Sequence, residues 1–121
     1  MSDPDALVDR YIAMWNETDP ARRRALVAET WTETARYLDP ALSGEGRDGI
    51  AAMVAQVQER FPGHRFRRTG PVDGHHDRIR FAWALGPDGG PDVVSGTDFA
   101  VLAGDRLDAV TGFFDQAPHA A

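Results

Sequence analysis

Three residues carry groups able to hold or move a proton in apolar surroundings. Asp39 closes the alternating run "ARYLDP", with Pro40 directly behind it. An Asp-Pro step commonly starts a turn, its carboxylate bonding the local backbone, and the same carboxylate at the mouth of a cavity could act as a base. Asp98 lies inside "VVSGTDFAVLAG". One face of that strand is Val94, Gly96, Asp98, Ala100 and Leu102; the other is Val93, Ser95, Thr97, Phe99 and Val101. Both are largely apolar, which predicts cover on both sides. An aspartate there must be paired, exposed at an edge or protonated, because a bare buried carboxylate is very costly. No cation lies nearby along the strand. Arg80 on a neighbouring strand is the alternative partner, although alternation turns it away from the face of Phe81 and Trp83. Gly96, one step from Asp98 on its face, would leave room for a ligand. Tyr11 falls in an apolar helical stripe, so its ring should point inward and its hydroxyl needs a partner; a core tyrosine bonded to backbone has the same pattern.

Other candidate chemistry is thinner. "DGHHD" puts His75, His76 and Asp77 together, but adjacent side chains diverge and no further cluster completes a metal shell, so a solvated turn is expected. His64, at a strand start, reads as a surface or capping residue. No nucleophile elbow, phosphate loop or dinucleotide fingerprint is present. The glycines of "GPDGGPD" lack a strand–turn–helix context and read as a loop.

The elements that must position these groups follow from caps and periodicity. Asp3-Pro4 starts a helix with Leu7, Tyr11, Met14 and Trp15 buried, and Asp19-Pro20 starts a short second one whose apolar side is Leu26, Val27 and Trp31. Residues 34–38 form a short strand ending at Asp39-Pro40. Asp48 caps a third helix with Ile50, Met53, Val54, Val57 and Phe61 buried, stopped by Pro62-Gly63. The remainder reads as strands over 64–72, 78–86, 93–103 and 106–114, the second carrying Ile79, Phe81, Trp83 and Leu85 on one face. The class is α+β. A twisted sheet of this width is not filled by three helices, so a conical apolar pocket for a small molecule is expected.

Composition agrees with a single globular domain over residues 1–121, 42% apolar and 26% charged. No run approaches the roughly 18 apolar residues of a membrane span, and "MSDPDALVDR" does not resemble a signal peptide. With no cysteine, a cytoplasmic location fits best. Nineteen acids against thirteen bases disfavour a nucleic-acid partner. The run Arg22-Arg23-Arg24 reads as a solvated helix face.

The element order, with "DRYIAMWNETDP", "YLDP", "GRDGIAAM" and "VVSGTDFAVLAGDRLDAVTGFFD", resembles the nuclear-transport-factor-2-like superfamily in its SnoaL-like and ketosteroid-isomerase-like branch. The resemblance covers essentially the whole chain. It implies a cone of three N-terminal helices on a curved, mainly antiparallel sheet enclosing a pocket. In ketosteroid isomerases a strand-end aspartate before proline is the base, and a helix-one tyrosine with a protonated late-strand aspartic acid forms the oxyanion hole. Matched by motif, these roles fall on Asp39, Tyr11 and Asp98. The second tyrosine that such isomerases often carry on the long helix is replaced here by Val57. The resemblance implies a cofactor-independent isomerase or cyclase acting beside a carbonyl of an apolar, steroid- or polyketide-like ligand, with no metal. Trp15, Trp31, Met53, Val57, Phe61, Phe81, Trp83 and Phe114 are the candidate substrate-binding residues, although the same side chains would serve as core. Dehydratases of this fold use pocket histidines, and its epoxide hydrolases an aspartate–arginine–aspartate relay; neither is evident, Asp115 included. A non-catalytic ligand-binding or dimerisation module is the alternative. Thr97, Phe99, Val101, Thr111 and Phe113 would give the outer sheet face an apolar patch suited to a homodimer.

Overall fold

The structure, a computed structural model, describes residues 3–117. Helix α1 spans Pro4–Asn16, and the Asp3 carboxylate accepts from the backbone N–H groups of Asp5 and Ala6. Helix α2, Pro20–Thr30, starts the same way, with Asp19 accepting from the Arg22 N–H. Trp31 does not extend α2; it opens strand β1, Trp31–Leu38, because its backbone turns extended at the helix end. A short strand β2, Ser43–Glu45, folds back antiparallel on β1 and was not evident from the sequence pattern. Helix α3 runs Gly46–Arg60. Its N-cap is Glu45, without a side-chain cap bond, while the expected cap Asp48 sits in the first turn and pairs with Arg24 on the surface.

The remaining strands are β3 His64–Arg68, β4 Asp73–His75, β5 Arg78–Pro87, β6 Val94–Ala103 and β7 Arg106–Gln116. The predicted strand 64–72 is therefore shorter, and part of "DGHHD" is strand rather than turn: β4 pairs with β5, and His76 takes the left-handed turn conformation. The sheet order is β2-β1-β7-β6-β5-β3, with β4 also on β5. Only the β1–β7 pair is parallel, so β1 enters beside the last strand of a meander. The three helices cover one face of this curved sheet. Ile79, Phe81, Trp83 and Leu85 of β5 all point into the core with Val8, Met14, Val27, Ile50, Val54 and Val110. The expectation that β6 is covered on both faces is not met within the chain. Val94, Gly96, Asp98 and Ala100 are buried, whereas Phe99 on the other face is 46% exposed.

The arginine run of α2 also departs from a solvated face. Arg22 and Arg24 are exposed, but Arg23 is buried. Its guanidinium donates to the carbonyls of Glu17 and Thr18 and, at 2.7 Å, to Gln58 Oε1. Gln58 Nε2 in turn donates to the carbonyls of Trp15 and Glu17. The C-terminal carbonyls of a helix have no partners within the helix and must find donors elsewhere. Here a cation and an amide from two other helices supply them, which fixes the end of α1 where Trp15 sits. Arg23→Leu should leave the Thr18 carbonyl and Gln58 Oε1 without their donor and cost about 1–3 kcal/mol of stability. A urea midpoint unchanged from wild type would show that water replaces the network without penalty.

Candidate active site

Register places Asp98 of β6 opposite Phe81 of β5 and Gly112 of β7, in the middle of the sheet and under α1. It is 2% exposed. The Tyr11 hydroxyl donates to Asp98 Oδ2 at 2.8 Å, and the Trp83 indole N–H donates to Oδ1 at 2.9 Å. Arg80 is not its partner; it pairs with Asp73 on the surface. Burial pushes the Asp98 carboxyl from 3.8 up to about 6, against the pull of its two donors and with a further push from Asp39. The Tyr11 phenol is raised well above its usual range, by burial first and then by the adjacent Asp98 charge.

Asp39 both ends the strand and faces the cavity. Its Oδ1 accepts from the backbone N–H groups of Ala41 and Leu42, each at 2.8 Å, which is the turn expected of Asp-Pro. Its Oδ2 accepts from the Tyr37 hydroxyl at 2.6 Å. Tyr37 was not singled out in the sequence; its position two residues before Asp39, on the same face of β1, was the available signal. Burial raises the Tyr37 phenol far above its ordinary value, and the charges of Asp98 and Asp39 add to this.

One glycine shows that the two acids share a site. A Cβ built on Gly112 would lie 2.8 Å from Asp98 Oδ1, 3.2 Å from Asp39 Cβ and 3.4 Å from Tyr37 Oη. Any larger residue at that point of β7 would intrude between the carboxyls. Gly96 has a different role from the one expected. The space beside it is filled by the Trp83 ring and the Phe113 carbonyl, so its missing side chain admits β7 and the indole rather than a ligand.

Above the acids lies a cavity of about 260 Å³. Tyr11, Asp39 and Asp98 all line it, as do Trp15, Val57, Phe61, Trp83 and Phe114. Three expected lining residues do not. Trp31 is fully enclosed and donates its N–H to the Met14 sulfur, Phe81 packs edge-on against Tyr11, and Met53 is buried near Gly44. They are core because the inward faces of a helix and a strand hold more apolar side chains than the cavity wall can use. Their places are taken by Ile12, Tyr37, Leu42, Phe66, Leu85 and Val94, and Arg60 stands exposed at the rim. The rings are contiguous. Phe114 meets Trp83 at 6.1 Å, Trp83 meets Phe66 at 5.7 Å, Phe66 meets Trp15 at 5.1 Å, and Trp15 meets Tyr37 at 5.6 Å between centroids. This belt and two acids define a small apolar chamber with proton-holding groups on one wall.

The other candidates lie apart from it. His75 and His76 are exposed with ring nitrogens 3.2 Å apart, His64 bonds the Pro62 carbonyl, and Asp115 is exposed. Among the described residues no three His, Cys, Asp or Glu side chains converge as metal ligands. No helix among them is long and apolar enough to cross a membrane.

This α+β cone with an acid-floored chamber corresponds to a known family. The SnoaL-like domain model matches residues 8–110, and the chain belongs to that family. It is similar to a proposed isomerase of the SnoaL-like family from Agrobacterium tumefaciens, at 46% identity and a TM-score of 0.87, over 91% of this chain and 95% of that one. A proposed ketosteroid isomerase from Kribbella flavida aligns at 19% identity and a TM-score of 0.67, over 96% of this chain and 80% of that one. A proposed SnoaL-like polyketide cyclase from Jannaschia aligns at 20% identity and 0.69, over 95% and 90%. The last two likenesses speak for the fold alone. No curated protein matches the chain.

The raised Asp98 carboxyl has a stability consequence with a definite sign. Between 3.8 and about 6 the unfolded chain loses this proton while the folded chain keeps it. Stability should therefore fall as pH rises through that window, by on the order of 3 kcal/mol from this group, and the loss should persist above it. Asp92, held by Arg67, and Asp108, held by Thr32 and Thr34, are lowered instead, so their contribution is lost only at more acidic pH. Denaturant midpoints measured from about pH 4 to pH 7 should decline in wild type and flatten in Asp98→Asn. A wild-type profile that rises across the window would show that Asp98 is ionised at no cost.

Proposed function

We propose that this protein is a cofactor-independent proton-transfer enzyme, an isomerase or cyclase acting beside a carbonyl of an apolar small molecule. What supports this most is the meeting at Gly112, where Asp98 of β6 comes beside Asp39 and its neighbour Tyr37 from the far end of the chain, at the floor of an aromatic chamber that Tyr11 also lines. Asp39 is the base. It takes a proton from the carbon next to the carbonyl, and the C–H electron pair moves into a new C–C π bond while the carbonyl π electrons pass to oxygen. With the ligand bound, protonated Asp98 donates to that oxyanion through Oδ2, and the Tyr11 hydroxyl turns away from Asp98 to donate beside it. An apolar site that holds a carboxylic acid neutral allows it to serve as a donor. Trp83 orients Asp98 by holding its other oxygen, and Tyr37 orients Asp39. Protonated Asp39 then returns the proton to a different carbon, which completes an isomerisation. Alternatively the enolate carbon attacks a second carbonyl of the ligand, whose π electrons pass to its oxygen; that oxygen takes the proton from Asp39, which closes a ring and restores the base. The roles of Tyr11, Asp39 and Asp98 are those the family pattern suggests, and the likeness at 46% identity to a proposed isomerase supports the same class.

A second reading rests on the Asp39 carboxylate itself. Three donors already serve it, which leaves few of its lone pairs free to take a proton from a ligand. The chamber would then bind a ligand without turning it over. The outer sheet face supports a homodimer in either case. Phe99 and Phe113 are 46% and 55% exposed and pack edge-on across adjacent strands, with Thr97, Val101 and Thr111 around them. A chain without cysteine suits the cytoplasm as its proposed location.

A β,γ-unsaturated ketone should be converted to its conjugated enone, followed by absorbance. Asp39→Asn should lower the rate about a hundredfold or more, the usual scale for a positioned base. Asp98→Leu should reduce it sharply, and wild-type kcat/KM should fall as pH rises through about 6, where Asp98 loses its proton. An Asp39→Asn rate equal to wild type removes the base assignment, and slow or absent turnover with retained ligand binding favours the second reading. Light scattering should give twice the 13.2 kDa chain mass, with Phe99→Asp and Phe113→Asp together giving the monomer. A monomeric wild type would exclude the dimer.

A further inference from the structure

The chamber combines features that a neutral ligand does not require. Among the described residues seven aromatic side chains and two acids line it, and the one cation among them, Arg60, stands exposed at the rim. The last turn of α3, with Val57 and Phe61 on the wall, presents the negative end of that helix. The chain as a whole carries −6. A cleft with acidic groups and low-dielectric walls focuses a negative potential. Aromatic faces add a further attraction for a cation, greatest where water is excluded.

We infer that this cavity is also a site for an alkylated ammonium ion, a quaternary or tertiary amine, held by the aromatic belt and by the charges of Asp39 and Asp98 rather than by hydrogen bonds. The choice of alkylated over primary ammonium follows from the donors already present. Asp98 accepts from Tyr11 and Trp83, one on each oxygen. Asp39 accepts two backbone N–H groups on Oδ1 and Tyr37 on Oδ2. Five donors therefore already occupy more than half of the acceptor sites of the two carboxylates. A primary ammonium or a metal ion would give up a strong hydration shell for the few sites that remain. A methylated ammonium is weakly hydrated and needs no acceptor.

The charge of the site depends on Asp98. The groups facing it are Tyr11 from α1, Tyr37 from β1 with Asp39 after it, Trp83 from β5 and backbone-only Gly112 from β7, none of them cationic. Both phenols are pushed upward and stay neutral, so the change near pH 6 belongs to Asp98. Above that range the Asp98 charge faces the ligand, and below it that charge is lost. Cation uptake favours the ionised form of Asp98, so binding near that pH should release a proton. The same carboxyl that must be protonated to support an oxyanion must be ionised to hold a cation, and the two ligand classes should therefore have opposite pH preferences.

The test compares benzyltrimethylammonium with neopentylbenzene, its uncharged carbon isostere, by quenching of tryptophan fluorescence. At about pH 8 the ammonium should bind about tenfold or more tightly than the isostere, and the ratio should shrink as Asp98 is protonated toward about pH 5. Asp98→Asn and Asp39→Asn should each reduce the ratio, and Arg60→Gln should raise it. Equal binding of the two probes at the higher pH, or a ratio untouched by both acid variants, overturns the inference and leaves a neutral-ligand chamber intact. Failure of both probes to bind would overturn this inference and the small-molecule chamber together.

Discussion

The hydrogen bond between the Tyr11 hydroxyl and the Asp98 carboxyl, 2.8 Å long and closed to solvent, joins the first helix to the middle of the sheet. A carboxyl cannot occupy that place unless donors come with it. Tyr11 arrives from α1 and Trp83 from β5, so the requirement fixes how the helix lies over the strands and which way the indole points. Gly112 must then stay bare, because its Cβ would occupy the space of Asp98 Oδ1. One polar group thus sets the position of a helix, the rotamer of a large aromatic and the identity of a residue on a third strand.

Two chemically identical side chains acquire different properties from that arrangement. Asp98 is surrounded by carbon and by two donors, and burial outweighs the donors, raising it to about 6. Asp39 lies at a strand end, where turn N–H groups and the Tyr37 phenol solvate it. Raising one carboxyl in this way gives a site an acid that can hold its proton toward neutral pH. It is also how a chamber gains or loses a negative charge near neutral pH. The proposed proton transfer and the proposed ammonium site use the two ends of this titration.

The helices hold the chamber open as much as they cover it. Arg23 and Gln58 gather the carbonyls at the end of α1, and Trp15 is thereby kept against Tyr37 and Phe66 at the wall rather than collapsing into the space above the acids. The enclosed Trp31 and Phe81 pack beneath this layer. The rings around the remaining volume pack against one another in edge-on and tilted pairs.

The α+β order, the caps at Asp3 and Asp19, the inward face of β5 and the three residues Tyr11, Asp39 and Asp98 were all legible in the amino-acid sequence, because caps and periodicity are local properties of a chain. Arg23 was misread because its surroundings are supplied by α1 and α3, which no window around residue 23 contains. Trp31, Met53 and Phe81 could not be told from true lining residues, since core and cavity wall share the same apolar periodicity and differ only in what lies opposite. Tyr37 and the closeness of both acids to Gly112 arise from β1 pairing in parallel with β7, and the indole bond of Trp83 to Asp98 from β5 pairing with β6, registers written in no single segment. Local chemistry determined which groups were available; the pairing of distant strands decided which of them meet.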